Sequence, residues 1–153
     1  MDKRGLSPVI ATVLLIALVI TIGLVVFIWI KSMTQEAVTK FDGENIKLVC
    51  NDVAFQASYS GDTDTLFISN SGNVPIFSMK VVDYGDGSHQ TQDLRDASVG
   101  WPVAGLNQGG TFSSVMSFTG NEIVLVPVLI GDSNSGKKTY VCDETQNGYS
   151  IQI

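Results

Sequence analysis

LSPVIATVLLIALVITIGLVVFIWI, residues 6 to 30, is the stretch that settles what kind of molecule this 153-residue chain is. It holds no ionisable side chain, and 17 of its 25 residues are Leu, Ile, Val or Phe. At about −0.3 to −0.6 kcal/mol per such residue on a membrane-insertion scale, entry into a bilayer gains roughly 5 to 10 kcal/mol. Its polar side chains are Ser7, Thr12 and Thr21. As a helix the run reaches about 37 Å, more than the roughly 30 Å of a hydrocarbon core. A secretory signal peptide has a shorter apolar region with a small-residue cleavage site behind it, and Trp29-Ile30-Lys31-Ser32-Met33 offers none. A lipoprotein signal needs a Cys at the end of a short apolar run, whereas the first Cys here is Cys50. The segment therefore reads as a membrane-embedded helix.

Outward from that run the charges separate by position. Lys3 and Arg4 precede it, and residues 32 to 153 carry 6 basic and 14 acidic side chains, a net of −8. The whole-chain charge of −6 and mean hydropathy of +0.24 thus average a basic, apolar N-terminal part and an acidic remainder. The positive-inside rule puts the N-terminus in the cytoplasm and residues from about 32 onward outside the cell. An acidic excess excludes a nucleic-acid partner, which would need clustered Lys and Arg. Ser7-Pro8 is a cap and first-turn pair that starts the helix. Residues 32 to 40 contain no Gly or Pro, set Met33, Ala37 and Phe41 on one face, and place Glu36 four residues before Lys40. The helix is therefore expected to continue over residues 6 to 41, with Asp42-Gly43 as its stop. Trp29 and Lys31 suit the outer membrane interface.

Gly5, at the border between charge and apolar run, reads either as a linker residue or as the unhindered backbone a protease needs before the helix begins. The segment Lys3-Arg4-Gly5-Leu6-Ser7-Pro8-Val9-Ile10-Ala11-Thr12-Val13-Leu14-Leu15-Ile16-Ala17 resembles the N-terminal segment of archaeal type IV pilins, which carries a class III signal peptide. The resemblance covers about residues 3 to 30. It implies a leader of residues 1 to 5, removed by a prepilin peptidase that recognises Lys3, Arg4, Gly5 and Leu6 and cuts between Gly5 and Leu6. Ser7, Pro8, Val9 and Ile10 would then open the mature helix. Bacterial type IV pilins usually carry a Glu where this chain has Ile10, and archaeal relatives as a rule lack it. Assembly would then rest on apolar packing, for which Ala11, Ala17 and Gly23 offer points of close approach.

From about residue 45 the periodicity becomes alternating. Val53, Phe55, Ala57 and Tyr59 fall on one face of a strand. Further strands are expected at Thr65 to Ser69, Ile76 to Tyr84, Ser88 to Leu94, Thr111 to Phe118, Glu122 to Ile130, Lys138 to Cys142 and Tyr149 to Ile153. Turn signals such as Asn70-Ser71-Gly72-Asn73, Gly85-Asp86-Gly87 and Asn147-Gly148 separate them. About eight strands without a convincing helix predict an antiparallel, immunoglobulin-like β-sandwich head over residues 45 to 153, so that the chain as a whole is α+β. The unit from Leu66 to Ile76 is similar to a strand, Asn-x-Gly turn, strand unit in archaeal pilin heads, which are likewise sandwiches.

Cys50 and Cys142, both in the segment placed outside, are expected to form a disulfide; two buried free thiols are the alternative. Asp83, Asp86, Asp93 and Asp96 gather near His89, but the calcium-loop spacing and its closing Glu are missing, and Asp-Gly is common hairpin chemistry. These residues are read as a turn, and His89 as an exposed strand residue. One His and no nucleophile elbow give no hydrolase arrangement, and no phosphate-cradling Gly loop is present. No cofactor, metal or enzymatic activity is expected. No Asn-x-Ser/Thr sequon occurs. The resemblance implies a pilus subunit used for adhesion, a single-pass membrane protein before assembly and extracellular after it. Its partners would be copies of itself in a helical homopolymer, the prepilin peptidase, and the assembly platform with its ATPase. The alternatives are a permanently anchored extracellular binding protein and a minor pilin at filament tips.

Overall fold

A computed structural model describes residues 8–35, 39–40, 43–85, 87–98, 100–133 and 136–153. The chain divides into two compact units, Met1–Ala37 and Val38–Ile153. The first holds one helix, α1 (Pro8–Gln35). Its many Val and Ile are only moderate helix formers in water. In lipid, however, a helix satisfies every backbone N–H and C=O within the segment. Two hydroxyls of its apolar run are likewise satisfied within the helix. Thr12 Oγ1 donates to the Val9 carbonyl at 2.9 Å, and Thr21 Oγ1 to the Leu18 carbonyl at 2.8 Å.

The expected continuation of this helix to residue 41 is corrected. Thr39–Lys40 forms a short strand, β1, which pairs with β2 (Glu44–Asn45), and Thr39 also pairs with Asp132. A Glu36–Lys40 pair would supply only a few tenths of a kcal/mol to a helix. Backbone pairing on two sides outweighs it, and Gly43, with φ of +108°, accommodates the reversal between β1 and β2.

The second unit is built of antiparallel strands. After β2 come a one-turn helix, α2 (Ile46–Val49), and a 3-10 turn, Cys50–Asp52. Then follow β3 (Phe55–Ser60), β4 (Thr65–Asn70), β5 (Ser78–Gly85), β6 (Ser88–Asp93), α3 (Leu94–Ala97) and β7 (Thr111–Val115). The chain ends with β8 (Glu122–Ser133), β9 (Gly136–Val141), α4 (Glu144–Asn147) and β10 (Tyr149–Gln152). Sheet A has seven strands, β2-β1-β8-β5-β6 with β9 and β10 also paired to β8; sheet B is β3-β4-β7. The architecture is thus α+β, a long apolar helix and a mostly antiparallel β unit.

The spine of sheet A is β8. One edge pairs with β5 from Glu122 to Val128, and the other pairs with β10 over Glu122 to Leu125 and with β9 over Val128 to Ser133. Residues 125 to 129 are buried consecutively, as expected of a strand covered on both faces. Pro127 cannot donate to a ladder, and it falls where one edge of β8 passes from β10 to β9 and has no strand partner.

Both sheets contribute to one core. Leu66, Ile68 and Phe112 from sheet B pack with Met79, Val81, Ile123 and Leu125 from sheet A, together with Ile76, Leu94, Trp101 and Leu106. Val53, Phe55, Ala57 and Tyr59 pack against this cluster, as their alternation predicts. A second cluster gathers Ile46, Val49, Val74 and Leu129 around the two cysteines.

The expectation of no helix in the head is corrected by three single turns. Each opens on a side-chain cap: Asn45 Oδ1 accepts from Lys47 N, Asp93 Oδ1 from Arg95 N, and Asp143 Oδ1 from Thr145 N and Gln146 N. Four residues are too few to show a 3.6-residue period, so the apolar pattern could not reveal them. One strand bound moves as a result: Leu94, expected to end a strand, opens α3.

Candidate functional site

The most unusual surface on the chain is that of α1. From Val9 to Ile30 every residue is exposed, among them seventeen large apolar side chains. Their exposures run from 47% at Val26 to 67% at Val9 and Val25. They surround the helix on all sides, so no single apolar face can be docked and hidden while another faces water. A helix of this length and composition is long and apolar enough to cross a membrane.

Pro8 is the first residue of α1, and Val9 and Ile10 stand exposed on its first turn. Lys3, Arg4, Gly5, Leu6 and Ser7 lie outside the described residues, as do Glu36, Ala37 and Phe41. Ala11, Ala17 and Gly23 are exposed, and a Cβ placed on Gly23 would meet nothing within 4 Å. Their six-residue spacing has a consequence that sequence distance conceals. At about 100° per residue, six residues rotate about 600°, so the three small residues point in directions about 120° apart, each about 9 Å further along the axis. They do not form one seam.

Cys50 and Cys142 are disulfide-bonded, with Cα atoms 5.7 Å apart. Both are buried in the second cluster. The bond joins the 3-10 turn before β3 to the residue that follows β9. Asn147 Nδ2 donates to the Cys50 carbonyl at 3.2 Å, and Cys142 N donates to the Pro127 carbonyl at 3.0 Å. Hydrogen bonds thus anchor the main chain of both cysteines, one to a side chain and one to backbone.

The acidic run around His89 is taken up by local structure. The Asp83 carboxylate accepts from Thr119 N and Gly120 N, each at 3.0 Å, and so fastens the turn before β8 to the end of β5. Gly120 is required there, because a Cβ would come within 2.1 Å of the Tyr84 carbonyl oxygen. Asp93 caps α3 and accepts from the Ser78 hydroxyl. His89 is exposed on β6, its ring 5.9 Å from that of Tyr84. Asp86 lies outside the described residues. Among the described residues no group of three or more His, Cys, Asp or Glu gathers as metal ligands would.

Two phenols are perturbed. Tyr59 is raised above its ordinary value, first by burial and then by its hydrogen bond to Asp64 at 2.8 Å. Tyr84 is raised mainly by its hydrogen bond to the Glu144 carboxylate.

Sequence reading gave the head no ligand-facing surface. In sheet B, Gln56, Ser58, Phe67, Ser69, Thr111 and Ser113 alternate with core residues and line a common hollow. The alternation was visible in the sequence, but which strands stand side by side was not. No family model matches the chain, and no curated protein matches it.

Proposed function

We propose that this chain is a subunit of an archaeal type IV pilin filament, inserted in the membrane as a precursor and polymerised outside the cell for adhesion. The observation that carries the proposal is α1: seventeen large apolar side chains exposed around its whole circumference. Such a surface must be covered, and lipid and then other copies of the same helix are two covers of similar polarity. A helix stable in lipid loses little by exchanging lipid for its neighbours, and close packing adds dispersion energy. Three small residues facing three directions suit a helix with neighbours on several sides better than a two-helix seam. The leader cut between Gly5 and Leu6 would be made by a prepilin peptidase, and extrusion would be driven by the platform and its ATPase. The acidic unit would decorate the filament. Its all-antiparallel pairing and the core shared by its two sheets support an immunoglobulin-like sandwich.

Mass spectrometry of the chain from native cell-surface material, with electron microscopy of the sheared fraction, tests this. Filaments containing a chain that begins at Leu6 are expected. A chain retained in the membrane and beginning at Met1 would overturn the proposal in favour of a permanently anchored binding protein. Immunogold labelling confined to filament tips would replace the major subunit by a minor one.

A further inference from the structure

The outward face of sheet B is hollow. β3, β4 and β7 pair in register, so their outward side chains stand in cross-strand rows: Gln56, Ser69 and Thr111 in one, Ser58, Phe67 and Ser113 in the next. A concavity of about 820 Å³ follows these two rows and extends to Tyr149 of β10. That volume lies within the range of small-ligand sites, about 300 to 1,000 Å³.

Charge narrows the class of occupant. Residues 32 to 153 carry a net of −8, yet no residue lining the hollow is charged at neutral pH. A phosphate, an acidic polymer or a basic peptide would find no counter-charge there. Chemistry narrows it further. Gln56, Ser58, Ser69, Thr111 and Ser113 all carry hydroxyl or amide groups, and among the described residues none of these side chains has a hydrogen-bond partner within the protein. Each is free to donate to and accept from a ligand. Between Ser58 and Ser113 stands Phe67, 46% exposed, its ring left uncovered by two of the smallest polar side chains.

An aromatic ring fringed by neutral donors and acceptors matches a sugar, whose C–H face packs on the ring while its hydroxyls meet the fringe. A peptide strand would add to an edge of the sheet and not to its face. A second copy of the head is a poorer fit, because the exposed apolar area at Phe67 and Tyr149 falls far short of a stable protein interface. We infer that the outward face of sheet B is a binding groove for an uncharged oligosaccharide, with Phe67 as its stacking platform. The inference does not rest on filament formation, since the groove belongs to one chain.

The full chain, kept unassembled in a detergent without a sugar headgroup, is assayed against hexamers of neutral hexoses and N-acetylhexosamines and against a uronic-acid hexamer. Screening on an array is followed by calorimetric titration. At least one neutral hexamer is expected to bind, and the uronic-acid hexamer to bind at least tenfold more weakly. Phe67→Ala is expected to weaken binding about tenfold or more. Ser69→Trp fills the hollow from an outward position and abolishes binding. Val103→Ala, at an exposed site outside the lining, leaves binding unchanged. Melting temperatures of all three variants stay close to that of the parent chain. The inference is overturned if no neutral hexamer binds, if the uronic-acid hexamer binds as well, or if Phe67→Ala and Ser69→Trp leave binding intact. Such a failure alongside filaments that begin at Leu6 would leave the filament proposal standing.

Discussion

Asn70 is wholly buried, and its side chain joins three backbone segments. Its Nδ2 donates to the carbonyls of Val74 and Leu106 at 2.9 and 2.8 Å, and its Oδ1 accepts from Gly72 N at 3.0 Å. Replacing it by Leu keeps the volume and strips all three partners, so Asn70→Leu is expected to destabilise the head by about 2 to 4 kcal/mol. Chemical denaturation of the full chain in detergent, followed by Trp101 fluorescence, measures the loss. The Asn-x-Gly turn was legible from residue types alone. That its first residue would be buried was not, since burial depended on the loop at Leu106 closing over it.

Tyr59 and Tyr84 give a second residue-scale test. Both phenols hold their protons to higher pH in the folded chain than the ordinary value of 10.0. The stability they lend is therefore fully present below about pH 10 and is lost as pH rises through the folded values. Tyrosinate absorbance of the folded chain should rise later than that of the denatured chain. Glu144→Gln should move the Tyr84 part of that titration to lower pH and leave the Tyr59 part in place.

At the scale of elements, α1 is set by composition and the head strands by pairing. A charge at mid-span acts on the first. Ile20→Lys is expected to cost insertion about 3 kcal/mol or more, counting the apolar residue lost, and carbonate extraction of membranes would show the shift to the soluble fraction. Gly23→Leu is the contrasting case. A Cβ built at this position meets nothing within 4 Å beyond the helix's own backbone, and Leu is as apolar as its neighbours, so membrane retention should be unchanged. If neighbouring helices approach there, filament yield in the sheared fraction should fall several-fold. The extent of the helix shows where sequence pattern stops. Residues 32 to 40 carry every local mark of a helix, yet Thr39 and Lys40 are strand: they close a short hairpin with Glu44 and Asn45, and Thr39 also pairs with Asp132, far along the sequence. Local propensity yields to backbone pairing that a sequence window does not contain.

At the scale of the molecule, the disulfide closes a span of 92 residues, worth about 4.6 kcal/mol in the chain-entropy model. The double variant Cys50→Ala, Cys142→Ala should lower the melting temperature of the head, and a thiol reductant should reproduce most of that fall in the parent chain. A reductant effect on the double variant would contradict this. Beside the bridge, Val74 and Leu129 of β8 pack with Ile46 and Val49 of α2 in the same buried cluster. Their loss should therefore be felt together with that of the bridge.

The sequence by itself determined the division into an apolar rod and an acidic β unit. An uninterrupted run without charges has one low-energy state in a membrane, and alternation has one in a sheet. It also made the cysteine pair a reasonable expectation, because both thiols fall in the same segment. Only the tertiary structure decided which strands share a sheet, and hence that Gln56, Phe67 and Thr111, far apart in the chain, face one hollow. It likewise decided that Asp83 fastens a turn. Strand pairing is a long-range choice among many registers of similar local energy, and it is settled by the core that all the strands fill at once.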